Sequence, residues 1–183
     1  MFPTELLSKM IHSMSVRTDL LARPSERLVC VGLRNLMAAC ELGDTACWEA
    51  VWQHYIAELG AAGARQMLGE LQYWARAVRR HAGRPLTFYP HCCRFLCHDE
   101  CMALSLVAAA QMGDEATGAL AARHLTGQVD PAPLAEVWAA TLPFAQALGR
   151  AGQEMYPVGA HVVESIVRMQ QAGRCRETCW RLN

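Results

Sequence analysis

The sequence predicts an all-α protein, a single-domain helical bundle of about seven helices with a central buried helix near residues 98–112. Three observations carry that expectation. Apolar residues recur with helical period along most of the chain, while strand-like alternation is confined at most to "LTFYP". Gly, Pro and Asp fall between the apolar stripes, where helices begin and end. One segment, His98 to Met112, is apolar on nearly every side beyond its first turn, as a helix enclosed by others would be.

From the amino end, Pro24-Ser25 opens the first helix, with Ser25 expected as the cap. Arg27, Arg34 and Glu41 recur every seven positions along one face and leave Leu33, Leu36, Met37 and Cys40 on the other. Gly43-Asp44 ends that helix and caps the next. Trp48, Val51, Trp52, Tyr55, Ile56 and Leu59 then form an amphipathic stripe, and Met67, Leu68, Leu71, Trp74, Ala75 and Val78 form another. The second ends in the basic residues Arg76, Arg79 and Arg80, which suit a helix carboxyl end, before Gly83 and Pro85 stop it. An irregular stretch, "GRPLTFYPHCCRF", precedes the apolar helix. Asp130 caps a helix with Pro131 in its first position, and Pro143 is expected to kink or divide it. A last helix is expected from Val158 to Ala172, so that residues 1–172 make one helical domain and residues 173–183 a carboxyl-terminal tail.

Two stretches align without gaps. "LMAACELGDTACWEAVWQH" (Leu36 to His54) and "LVAAAQMGDEATGALAARH" (Leu106 to His124) each read as a helix, a Gly-Asp corner and a second helix. The match is either a duplication or the same helical hairpin written twice.

Composition narrows the class of function. A chain of 183 residues, 52% apolar, holds one substantial core. Seventeen basic residues balance seventeen acidic ones, so no overall field draws the protein to nucleic acid or an anionic membrane. Lys9 is the sole lysine among the basic residues, a compositional bias to which no function attaches. The amino terminus "MFPTELLSKMIHSMS" lacks the pattern of a secretory signal, and the longest nearly apolar run, Cys101 to Ala110, is about half a membrane span. A soluble cytoplasmic protein is expected, with another protein as its partner, no nucleic acid and no membrane. Its nine cysteines should then be thiols, serving as core filler, redox groups or metal ligands.

"PHCCRFLCHDEC", Pro90 to Cys101, gathers four of these cysteines and two histidines into twelve residues. Pro90 discourages a helix from extending back through it, and Asp99 and Glu100 suit a helix amino terminus, so the helix should begin near Cys97 or His98. As a metal site, His91 and Cys93 from the loop would join Cys97 and Cys101, one helical turn apart. Such a set suits zinc, and a more thiolate-rich one an iron–sulfur cluster or copper. Cys175 and Cys179 repeat the i, i+4 spacing and are candidates to complete the site from the tail. No Cys-x₂-Cys pair occurs, so the spacing is not that of a standard zinc or ferredoxin motif. As filler, Cys97 and Cys101 are small apolar groups, like Cys30 and Cys40, with His98 exposed. As a redox group, Cys97 would be a thiolate favoured by the helix amino terminus.

Other constellations say less. "GAAGARQMLG" follows a helix and not a strand, so it lacks the setting of a phosphate loop. No nucleophile elbow, zincin motif, Walker lysine or EF-hand loop is present. His54 lies off its helix's apolar stripe and is expected to be exposed; His161, at the start of the last helix, reads as structural. The composite expectation is an intracellular helical interaction or regulatory protein, adaptor-like, with a Cys/His metal or thiol-sensing site. The alternative is a small metal-dependent or redox enzyme, or a carrier, that uses the cysteine cluster itself.

Overall fold

The computed structural model describes residues 20–43 and 45–172. Six α-helices and no strand occur among them: α1 (Pro24–Leu42), α2 (Thr45–His81), α3 (His98–Met112), α4 (Glu115–Thr126), α5 (Pro131–Arg150) and α6 (Ala160–Gln171). The count differs from seven because the two stripes read as separate helices share α2. They meet at Gly60, whose backbone (φ 70°, ψ 170°) is not helical. That region of backbone space is nearly closed to residues with a Cβ, so glycine lets the chain bend there and resume its helix.

Helix α3 is the centre, touching α1, α4, α5 and α6. Met102 to Ala109 are all buried, as the nearly continuous apolar surface of this segment requires. Helix α2 packs chiefly on α1 and α5, where Trp74 stacks on Phe144 with ring centroids 5.3 Å apart. The α1–α2 approach is tight enough that a Cβ on Gly32 would lie 2.3 Å from the Tyr55 hydroxyl, which donates to the Leu28 carbonyl. One apolar core runs through all six helices.

The two similar stretches adopt similar corners. Gly43 (φ 65°) and Gly113 (φ 69°) both close their helices in the left-handed region, and a new helix follows each.

Several local expectations change. Ser25 is not the cap of α1: Arg23 holds that position, Pro24 takes the first helical place, and the Ser25 hydroxyl donates to the Glu154 carbonyl beyond α5. Pro143 does not divide α5 into two elements. The carbonyl that loses its partner to the proline ring belongs to Ala139, an exposed residue, so solvent can satisfy it. His54 is half-buried, with Nε2 enclosed and unpartnered. Burial and then the charge of Arg27 hold its pKa below the ordinary value, against the opposing pull of Glu58. The last helix begins at Ala160, after Pro157 and Gly159. The expected tail, residues 173–183, lies outside the described residues. No described helix is long and apolar enough to cross a membrane.

Candidate functional site, a clamped cysteine-rich loop

The segment between α2 and α3, residues 82–97, carries most of the clustered cysteines. It has no regular structure, so its backbone groups need partners from elsewhere. Two adjacent carboxylates at the start of α3 supply many of them. Glu100 Oε1 accepts from Tyr89 N at 2.8 Å, and its Oε2 from Cys97 N at 2.9 Å. The second contact is the return half of a capping box, with Cys97 at the cap and Glu100 three residues on. Asp99 Oδ2 accepts from Thr87 N at 2.8 Å.

Each carboxylate has its own arginine. Arg34, on α1, donates from Nε to Glu100 Oε1 at 2.6 Å and from Nη2 to Oε2 at 2.8 Å. Both side chains are 1% exposed. The same guanidinium donates from Nη1 to the Cys93 carbonyl at 2.8 Å and from Nη2 to the Phe95 carbonyl at 2.6 Å. Arg34 therefore joins α1, α3 and the loop. Its place on a seven-residue polar stripe set it apart from the apolar face of α1, and in the structure that stripe meets the loop at this point. Arg84, within the loop, pairs in the same two-pronged way with Asp99 at 2.9 and 2.5 Å and donates to the His124 and Leu125 carbonyls. Burial works to raise the Asp99 pKa, but hydrogen bonds from Arg84, His98 and Thr87 N outweigh it and hold the carboxyl below its usual range.

With its backbone held this way, the loop turns several side chains outward. His91, Cys92, Arg94 and Phe95 are exposed, Phe95 to 62%. Cys93, Cys97 and Cys101 are half-buried. Cys30, read above only as filler, lies on the inner side of the same cluster. Burial and then the charge of Glu100 raise its pKa, with Cys101 and Cys93 acting in the same direction. Its position on the buried face of α1, one turn before Arg34, was the signal available in the sequence.

The candidate metal ligands are not drawn into one set among the described residues, where no group of three or more His, Cys, Asp or Glu side chains is placed to hold a metal ion. His91 projects at the loop's surface, whereas the Cys97 thiol turns inward and donates to the Thr87 carbonyl at 2.9 Å. Cys175 and Cys179 lie outside the described residues. The surroundings of Cys97 do not favour a thiolate either. Burial, followed by the charge of Glu100, pushes its pKa far up, so the helix amino terminus does not make it an acidic thiol. His98, expected at the surface in the filler reading, has a side chain only 9% exposed, with Nδ1 3.2 Å from Asp99 Oδ1.

No protein-family model, no curated protein and no solved structure matches the chain.

Proposed function

We propose that this chain is an adaptor-like helical interaction protein of the cytoplasm whose recognition element is the clamped loop. The supporting observation is the division of labour in residues 91–95. The carbonyls of Cys93 and Phe95 are fixed by the buried Arg34, while His91, Cys92, Arg94 and Phe95 face solvent. Desolvating an arginine and a glutamate is costly, and a well-packed apolar pair commonly serves stability as well or better. Spending that cost on the shape of a loop fits a surface whose shape is used. An exposed aromatic beside an arginine is the composition of a binding hot spot, and a loop ordered in advance loses little entropy on docking. The enzyme or redox-carrier reading is less well supported, because the thiol at the helix start donates to the Thr87 carbonyl and burial pushes its pKa up.

A photo-reactive phenylalanine analogue at position 95 tests this in cells. A discrete cross-linked partner is expected, lost on Arg94→Glu, with no such adduct from the same probe at exposed Tyr73 on α2. Identical patterns from positions 95 and 73 would sink the proposal.

A further inference from the structure

A pocket of about 270 Å³ opens beside the loop, at the amino end of α3 and the carboxyl end of α4, and is lined among others by Arg84, His98, Arg123, His124, Gln128 and Gln170. We propose that it binds a small anion that carries its own hydroxyl donor, a class whose simplest members are hydrogen phosphate and small hydroxycarboxylates. This site is separate from the exposed loop face and does not depend on the adaptor reading.

The charge of the wall selects an anion. Among the described residues no aspartate or glutamate lines the pocket. Asp99 stands behind His98, where the two-pronged bond from Arg84 neutralises it. Arg123 is exposed and has no carboxylate partner among the described residues, so its positive charge remains for an occupant. The amides of Gln128 and Gln170 can donate as well. Burial holds the His124 pKa down, and the neighbouring His98, Arg123 and Arg84 add to the effect.

The requirement for a hydroxyl comes from His98. Asp99 accepts from Arg84 and from Thr87 N and is held as a carboxylate, so it can only accept from His98 Nδ1. With the ring uncharged, that contact places its one N–H on Nδ1 and leaves Nε2 with a bare lone pair. Nε2 is buried and has no hydrogen-bond partner, on a side chain that is 9% exposed and lines the pocket. Unpaired buried polar atoms are uncommon because each forfeits its bond to water. An occupant that offers an O–H to Nε2 and anionic oxygens to Arg123 satisfies both demands together. The volume sits near the lower end of small-ligand pockets, about 300 Å³, which suits a compact ion of this kind.

Two pairs of near-isosteric anions isolate the hydroxyl. At mildly alkaline pH phosphate is largely the monohydrogen dianion, whereas sulfate has the same shape and charge and no proton. Glycolate and its isostere propionate likewise differ in whether they offer a hydroxyl. Calorimetric titration of the full chain at constant ionic strength is expected to show saturable binding of phosphate, of glycolate or of both, each at least about ten-fold tighter than its proton-free counterpart. The pair that shows the larger difference tells phosphate from hydroxycarboxylate. Arg123→Ala, on an exposed position, should weaken binding about ten-fold, and His98→Phe should abolish the preference for the hydroxyl-bearing partner. Should His98→Phe fail to fold, the imidazole nitrogen resonances of wild-type His98 serve instead, shifting with the hydroxyl-bearing anions alone. Equal binding within both pairs, absence of saturable binding, or binding unaffected by Arg123→Ala would overturn the proposal.

Discussion

Glu100 accepts four hydrogen bonds, two from Arg34 and two from loop backbone amides, and removing either ionic partner leaves the other charged and buried. Arg34→Met is therefore expected to destabilise by about 3–5 kcal/mol in urea unfolding. Adding Glu100→Leu should not restore stability, because the Tyr89 and Cys97 amides would then lose the carboxylate they donate to. Full recovery in the double variant would mean that the loop is held by something else. Asp99 gives a pH dependence of known sign. Its folded pKa is depressed, so its contribution is present above the ordinary Asp value of about 3.9 and is lost as pH falls through the lower folded value. Comparing acid unfolding of the wild type with Asp99→Asn should show the variant less stable near neutrality and the difference closing in acid. Thiol reactivity follows burial: alkylation mapped by peptide mass spectrometry should reach the exposed Cys40 and Cys92 first and Cys30 and Cys97 last. Early modification of Cys97 would restore it as a reactive group. At this scale the sequence was only partly informative. It located the cysteines and the helix start, but it could not distinguish charges that serve the helix dipole from charges buried against a distant arginine. Glu100 and Arg34 are 66 positions apart, and no local period links them.

The helices were far more legible, because each buries one face and the spacing of apolar residues records which. What periodicity does not record is whether two consecutive stripes lie on one axis. The stripes of α2 were both visible, yet their junction at Gly60 depended on a backbone angle that the residue permits without requiring. The proline in α5 shows the same limit, since its cost depends on whether the carbonyl it strands is exposed. Gly60→Ala should cost about 1–3 kcal/mol if the bend is retained, because alanine is strained in that conformation. The substitution favours a straight helix, so an unchanged or raised melting temperature would show that the bend is not needed by the packing of α2 on α1 and α5.

The molecule is organised around α3, which is the most enclosed helix and also carries the two carboxylates that hold the loop. Core and cysteine-rich loop are thereby coupled: whatever loosens α3 loosens the support of residues 82–97. Leu106 is fully buried in the middle of that helix, and Leu106→Ala is expected to destabilise by about 2–5 kcal/mol. Because one apolar core joins all six helices, helical circular dichroism and tryptophan fluorescence, the latter reporting in part on buried Trp74 against Phe144, should report a single coincident transition in the wild type. In the Leu106→Ala variant that transition should move without splitting. The loop should move with it, since its anchors sit on α1 and α3 and need no bound ion to bring them together: a chelator is expected to leave the midpoint unchanged. A transition that divides into two, or one that shifts on chelation, would mean that the loop draws its order from a source other than the helix beneath it.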